Sequence, residues 1–187
     1  MTPEQLLENL QQQAQNEESV ALEQKYHSEL AQEYASVLEA SDDVYAFLEK
    51  YDMKLVLEVH GDHGTGVILK EIAELVASDR VLVNYDTANA IFYGDVDVVK
   101  DFGECMDKVG YIHLKEKAGG RQEWDFPALG EGYVPFPEVF AMLDEADNLS
   151  PFSIEIEFTA AGPRDLAEID QAVLDSAAYL KAQGFTL

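Results

Sequence analysis

Four short segments of the chain alternate apolar and polar residues, which is the pattern of β-strands. Strand side chains point to opposite faces in turn, so each segment has one apolar face and one largely polar face. The predicted strands lie at 54–60, 81–86, 111–117 and 152–158. Apolar residues at helical spacing follow at about 67–77, 95–108 and 136–146, and again from Leu166 onward. This alternation of strands and helices predicts a parallel sheet with right-handed crossovers.

Helices are also predicted at both ends of the chain. The first fifty residues have no strand pattern, and apolar residues recur every four positions between about 18 and 40. We therefore expect an N-terminal helical segment at 1–50 and a (β/α)4 unit at 51–187, together forming one domain. In the last helix we expect a buried stripe made of Leu166, Ile169, Val173, Ala177 and Leu180.

Each predicted strand carries a possible metal ligand near its end. These side chains are Glu58, Asp86, His113 and Glu155. An open sheet covered by helices on both faces needs two apolar faces, whereas a barrel places functional side chains at the carboxyl ends of its strands. The polar faces therefore favour a partial TIM-type barrel with four parallel strands and the helices outside.

Three carboxylates and one imidazole suit a divalent cation such as Mn²⁺, Mg²⁺, Co²⁺ or Zn²⁺. The alternative is a network of salt bridges with no metal. Four such groups on one face are difficult to bury without a cation, because an isolated ionised carboxylate is costly to desolvate. We therefore favour a metal site, either working or vestigial.

Composition excludes several classes of partner. The chain has 187 residues and a net charge of −25, from 12 basic and 37 acidic side chains. Such a field repels phosphate backbones and anionic lipid headgroups, so we expect neither nucleic acid nor a membrane as partner. No apolar run approaches the roughly 20 residues of a membrane span, and the N-terminus lacks a signal-peptide pattern. We therefore expect a cytoplasmic protein.

Five motifs resemble the sugar isomerase/epimerase superfamily, which has a xylose isomerase-like TIM barrel and includes apurinic endonuclease-like enzymes. In chain order they are LEVHGDHGTG, VNYDTANA, YIHLKEK, ALGEGYVPFPEVF and SIEIE. The resemblance covers about residues 45–183 and only the C-terminal half of the family's barrel. It implies that Glu58, Asp86, His113 and Glu155 bind one divalent metal. It also implies that Glu58 and Glu155 move a proton between adjacent carbons of a hydroxy-ketone, through a metal-stabilised enediolate.

Further polar side chains near these motifs are candidates for binding the substrate. They are His60, His63, Asn89, Lys115, Lys117, Arg121 and Glu157. Asn89 stands where ketose epimerases place a substrate-binding His, and Glu116 replaces the Asp of a His-x-Lys-Asp motif. Glu157 competes with Glu155 as the fourth ligand, and we prefer Glu155 because SIE aligns best with the family's last strand.

The half-barrel length raises the question of how the open side is covered. A TIM barrel has eight strands and about 250 residues, and an open half exposes two strand edges. A second copy, the N-terminal helices or a separate polypeptide could cover it, and we favour a homodimer to which residues 1–50 contribute.

The sequence thus predicts a metal-dependent isomerase or epimerase of a small sugar, sugar acid or polyol. The main alternative is a truncated, non-catalytic remnant or a binding subunit. Phosphodiester cleavage is the weakest hypothesis, because it would need a basic surface and more His ligands than four His residues allow.

Overall fold

The computed structural model describes residues 42–76 and 78–186 of the chain. The helices predicted before residue 41 lie outside these residues, and the predicted boundary at residue 50 stays a prediction. The chain divides into two compact units, 1–46 and 47–187, and the second contains the whole sheet. Within the described residues, no helix is both long and apolar enough to cross a membrane.

Helices and strands alternate along the described chain. The helices are α1 (Asp42–Lys50), α2 (Gly66–Val76), α3 (Thr87–Phe92), α4 (Val98–Cys105), α5 (Phe136–Glu145) and α6 (Leu166–Ala182). The strands are β1 (Leu55–Glu58), β2 (Val81–Asp86), β3 (Val109–Lys115), β4 (Asp125–Phe126), β5 (Phe152–Glu155) and β6 (Phe158–Thr159). A single 3₁₀ turn, Met106–Lys108, joins α4 to β3.

Strands β1, β2, β3 and β5 form one parallel sheet in that order, as the sequence predicts. The register shifts between β2 and β3, where Val83 pairs with Val109 and Asn84 pairs with Tyr111. Gly110 is therefore an extra, unpaired residue, which defines a β-bulge. A Cβ at this position would overlap the side chain of Leu82, so the close approach of the two strands requires glycine.

The two faces of the sheet differ as the alternation predicts. Helix α3 contacts β3 at its carboxyl end, where Asn89 accepts a hydrogen bond from Lys115 Nζ. The outer face is covered by helices such as α2, which packs on β2. Its fully buried side chains are Val81, Val83, Tyr85, Ile112 and Leu114. Burying an aliphatic side chain of this size contributes about 1.5–3 kcal/mol, so this apolar layer is a main source of stability. The inner face instead carries polar groups.

Two helices lie between β2 and β3, where the sequence interpretation expects only one, at 95–108. The additional helix is α3, which begins directly after β2. The Asp86 carboxylate starts α3 by accepting hydrogen bonds from the backbone N–H groups of Ala88 and Asn89, at 3.0 and 2.8 Å. Asp97 starts α4 in the same way through the N–H of Lys100. Aspartate is a preferred N-cap residue, and the sequence interpretation missed this role of Asp86.

The stripe predicted on the last helix is wrong at most of its positions. Helix α6 buries Ala172, Ser176 and Leu180, whereas Leu166 is 78% exposed and Val173 is 50% exposed. The Ser176 hydroxyl accepts a hydrogen bond from the backbone N–H of Leu129 at 3.0 Å. This bond ties the helix to the loop after β4, and Ser176 lies on the buried side between Ala172 and Leu180.

Asp101 in α4 holds the N-terminus of α2 against the sheet. Its Oδ2 accepts hydrogen bonds from the Gly66 N–H at 2.8 Å and from the Tyr85 hydroxyl at 2.9 Å. Its Oδ1 lies 3.4 Å from the Val67 nitrogen. The first N–H groups of a helix have no partner within the helix, so Asp101 supplies a cap from a distant element.

We expect Asp101→Ala to lower the free energy of unfolding by about 2–4 kcal/mol, since it leaves buried N–H and O–H donors without acceptors. Urea denaturation followed by circular dichroism measures the change. The matched control is Asp97→Ala, which removes an exposed N-cap and should cost about 1 kcal/mol. Equal losses for the two variants would contradict the capping role of Asp101.

Candidate metal centre

The parallel register brings four predicted ligands from four strands to one place. Asp86 pairs with His113 across β2 and β3, while Glu155 and Glu58 lie at the ends of β5 and β1. One ligand atom from each of the four side chains lies within 4.8 Å of the others. All four residues belong to the inner face, so the sheet itself positions the cluster.

His113 lies at the centre of the cluster. Its Nδ1 is 2.8 Å from Glu155 Oε2, 3.3 Å from Glu58 Oε1 and 3.7 Å from Asp86 Oδ2. Nδ1 and Asp86 Oδ2 are both buried, and neither has a hydrogen bond of acceptable geometry within the described residues. The three carboxylate oxygens therefore surround His113 Nδ1, but none of them forms a well-aligned hydrogen bond with it.

The ionisation of the cluster follows from these contacts. Contacts with Asp86 and Glu155 raise the pKa of His113 to about 10, against an opposing effect of burial. The contact with His113 lowers the pKa of Glu155 to about 2. Burial raises the pKa of Asp86, although His113 and Lys115 oppose that shift. Near neutral pH the metal-free cluster therefore contains an imidazolium beside an ionised Glu155.

The two oxygens of Asp86 have separate tasks. Oδ1 accepts the two N–H groups that begin α3, whereas Oδ2 faces the cluster and lies 3.9 Å from Lys115 Nζ. Hydrogen bonds to one oxygen of a ligating carboxylate fix the direction of the other. The start of α3 therefore holds Oδ2 in place.

Asn84 contacts the other ring nitrogen of His113. Its Nδ2 lies 3.1 Å from Nε2, and its buried Oδ1 has no hydrogen-bond partner in the described part of the chain. A half-turn of the amide would let Oδ1 accept a hydrogen bond from Nε2–H. A partner of this kind fixes the tautomer in which the opposite nitrogen can bind a metal.

Lys115 is a buried cation beside the cluster. Its Nζ lies 2.6 Å from Glu157 Oε2 and 3.0 Å from Glu155 Oε1, and it donates to Asn89 Oδ1 at 3.2 Å. Burial lowers the pKa of Lys115, but the nearby carboxylates more than offset this and the net shift is upward. The ammonium group offsets part of the negative charge that the carboxylates bring into the sheet.

The other predicted substrate-binding residues lie at different distances from the cluster. Asn89 and Glu157 touch Lys115, and His60 and His63 close the turn after β1 with paired backbone hydrogen bonds of 3.2 and 3.0 Å. Lys117 is buried and donates to the Ala118 carbonyl. The structure does not bring Arg121 to the cluster, because its guanidinium group pairs with Asp95 and donates to the Val96 carbonyl at 2.7 Å.

Glu116 has a structural task that the sequence interpretation missed. The side chain is buried, and its oxygens accept backbone hydrogen bonds from Lys117, Gly130 and Val134 at 3.0, 2.8 and 2.9 Å. These bonds tie the long loop after β3 to the strand end that carries His113. The signal was present as an acidic residue directly before a glycine-rich loop.

The donor set fits a hard or borderline divalent cation. Three carboxylate oxygens and one imidazole nitrogen converge, and Asp86 Oδ2 is buried without a hydrogen-bond partner among the described residues. Oxygen and imidazole ligands suit Zn²⁺, Mn²⁺, Co²⁺ and Mg²⁺, whereas a thiolate-selected metal would need sulfur. Cys105 is buried in α4 and is not one of the four clustered residues.

The fold and the cluster define a class of β/α protein with polar ligands at the carboxyl ends of consecutive parallel strands. The family model of the xylose isomerase-like TIM barrel matches residues 10–183. The chain belongs to this family, which confirms the resemblance seen in the five motifs. No curated protein sequence matches the chain.

Solved structures share the fold. A xylose isomerase domain protein from Planctomyces limnophilus has a TM-score of 0.63 at 21% identity, over 80% of this chain and 51% of that one. An IOLI protein with a bound zinc atom has a TM-score of 0.68 at 17% identity, over 86% of this chain and 59% of that one. A D-psicose 3-epimerase in the presence of D-fructose has a TM-score of 0.61 at 17% identity, over 78% of this chain and 54% of that one.

The chain spans slightly more than half the length of these structures. The likeness confirms the predicted fold class, a partial TIM-type barrel with four parallel strands and helices outside. At 17–21% sequence identity, the similarity to these structures concerns the fold alone.

We expect Mn²⁺ binding at pH 7.5 to release close to one proton. The pKa of His113 is about 10 without metal, and a cation bound at the ring must displace the proton. Affinity should therefore rise with pH, by up to about tenfold per unit, until His113 loses its proton without metal. Calorimetry in two buffers with different ionisation enthalpies measures the release. His113→Gln is the control and should release none, and equal heats in both buffers for the unaltered protein would contradict the expectation.

Proposed function

We propose that the protein is a divalent-metal-dependent isomerase or epimerase of a small sugar, sugar acid or polyol. The observation that carries the proposal is the cluster of Glu58, Asp86, His113 and Glu155, whose ligand atoms lie within 4.8 Å of one another. Membership of the xylose isomerase-like family supports it. Glutamates on two different strands border the cluster, which is the arrangement that proton transfer between neighbouring carbons needs.

A divalent cation held by these four residues would stabilise negative charge on an oxygen of a hydroxy-ketone. The chain itself supplies the proton transfer. In the metal-free protein the contact with His113 lowers the pKa of Glu155 to about 2, so Glu155 is ionised. When a bound cation has displaced the proton of His113, that contact no longer weakens Glu155 as a base, and Glu155 can accept a proton from carbon. Glu58 approaches His113 from the opposite edge of the sheet, since β1 and β5 are the two outer strands. One glutamate can remove a proton from carbon while the other returns it to the neighbouring carbon.

Lys115 would contribute to substrate binding through Glu155 and Asn89 rather than as a free ammonium group. Its Nζ donates hydrogen bonds to Asn89 Oδ1 and Glu155 Oε1 and forms an ion pair with Glu157 Oε2, so groups of the protein already surround it. His60 is exposed beside Tyr93, with ring centroids 4.7 Å apart, and lies two residues beyond Glu58. We propose that His60 and His63 contact substrate hydroxyl groups from the turn after β1.

A non-catalytic metal-binding protein is the second candidate. The Glu58 side chain is 39% exposed, whereas proton transfer from carbon is most effective where water is excluded. If the protein binds metal but converts no hydroxy-ketone, this candidate is favoured over an enzyme.

We also propose that a second copy of the chain covers the inner face. Within the described residues, β1 and β5 each pair with a neighbour on one side only, and exposed strand edges favour association. Light scattering on the metal-loaded protein should give twice the mass of one 20.8 kDa chain. A mass of one chain over the micromolar range would contradict the dimer.

Glu155→Gln should lower turnover of a ketose substrate by about 10²–10⁴-fold, because it removes the proposed base. It should also weaken Mn²⁺ binding, which electron paramagnetic resonance measures independently of turnover. The matched variant is Glu157→Gln, two residues further along, which touches Lys115 but is not one of the clustered ligands.

Glu157→Gln should keep Mn²⁺ binding within about threefold of the unaltered protein. The reverse ranking, with Glu157→Gln losing metal and Glu155→Gln retaining it, would make Glu157 the fourth ligand. Loss of neither metal nor turnover in Glu155→Gln would contradict the proposed function.

A further inference from the structure

Trp124 is a partly exposed aromatic side chain near the carboxyl end of β3. Its side chain belongs to an aromatic group, with ring centroids 5.6 Å from Phe92 and 5.1 Å from Phe126, both at nearly right angles. Trp124 is nevertheless 36% exposed, and its indole N–H donates to no atom in the described part of the chain. The indole is therefore partly accessible to a ligand and has an N–H donor that the described residues do not use.

Hydrogen bonds hold the loop that carries Trp124. The Gln122 side chain donates to the Phe92 carbonyl at 2.9 Å, and the Ala118 N–H donates to the Asp125 carbonyl at 3.0 Å. Glu123 closes the turn, because its N–H donates to the Gly120 carbonyl and its carboxylate accepts the Gly120 N–H, both at 2.9 Å. The indole is therefore preorganised, and a ligand need not order it.

A short chain of contacts connects Trp124 to the metal cluster. The Phe126 ring, which packs edge-on against Trp124, lies 4.6 Å from Lys115 Nζ. Lys115 in turn lies 3.0 Å from Glu155 Oε1. Trp124 thus lies on the side of the sheet where the strands end and where His113 and Glu155 meet.

We propose that Trp124 is the residue on which the substrate stacks, through the C–H face of a sugar or polyol. This inference rests on the proposed function, since it names how that substrate is held. Sugars present polar edges and apolar C–H faces, and the negative face of an aromatic ring attracts such weakly positive hydrogens. The free indole N–H would donate to a hydroxyl at the rim of the stacked ligand, as amphipathic rings commonly do.

The protein reports on this contact directly because Trp124 is its single tryptophan. We would titrate the full chain, loaded with Mg²⁺, with D-fructose, D-tagatose and L-ribulose and follow the tryptophan emission. At least one ketose should give a saturable change in emission, with a midpoint near its KM. Trp124→Leu should raise that KM by up to about tenfold and leave kcat within about twofold. Trp124→Phe should raise KM by less, since it keeps an aromatic face.

Tyr51→Leu is the matched control. Tyr51 is 54% exposed and precedes the amino end of β1, at the opposite end of the strands from the cluster. It should leave KM and the emission change unaltered. If Trp124→Leu converts the ketose with the same KM as the unaltered protein, the stacking inference is overturned and the proposed function stands.

The emission readout does not depend on turnover. A saturable emission change without turnover would support stacking while contradicting the proposed enzyme. Emission that no ketose alters, or that changes with protein concentration instead of ketose concentration, would overturn the inference; the second result would mean that another copy of the chain covers the indole.

Discussion

The cost of burying carboxylates on the inner face of the sheet governs the rest of this structure. Asp86 is fully buried, and Glu155 and Glu157 are largely shielded. A buried carboxylate must be paired or bonded to a cation, because its desolvation is otherwise too costly. Lys115 and the protonated His113 supply that pairing in the metal-free protein. A divalent cation would replace the proton of His113. The same residues can therefore balance the charge of the carboxylates either with that proton or with a metal ion.

Asp86 links this electrostatic constraint to the fold. It ends β2, begins α3 and belongs to the ligand cluster, all within one side chain. Its two oxygens divide these tasks, so moving the helix would move the ligand. Glu116 has a comparable place at the end of β3, where three backbone N–H groups bind its oxygens. In both cases a carboxylate at a strand end orders the following segment, and the site inherits its rigidity from backbone hydrogen bonds.

Periodicity made the strands and the clustered side chains predictable from the sequence, whereas features that depend on single tertiary contacts were missed. The four parallel strands were predictable because alternation of apolar and polar residues survives in each of them, and the four clustered side chains were predictable because they occupy equivalent strand-end positions. Helix α3 was missed because its apolar pattern is short and its start depends on a cap from Asp86. The buried side of α6 was wrong because it includes Ala172 and Ser176, a small and a polar residue that a search for large apolar side chains does not select. The aromatic group around Trp124 joins residues distant in sequence, which no local pattern reveals.

The bulge at Gly110 decides which residues of β3 face the cluster. Strand side chains alternate, so a slip of one residue turns an entire strand segment over. The extra residue at Gly110 sets Tyr111 opposite Asn84 and therefore His113 opposite Asp86. If Gly110 paired with Asn84 instead of standing outside the ladder, Ile112 would lie opposite Asp86 and His113 would turn toward the helices. The position of His113 in the cluster thus depends on one residue without a side chain, which lies outside the ladder just before Tyr111.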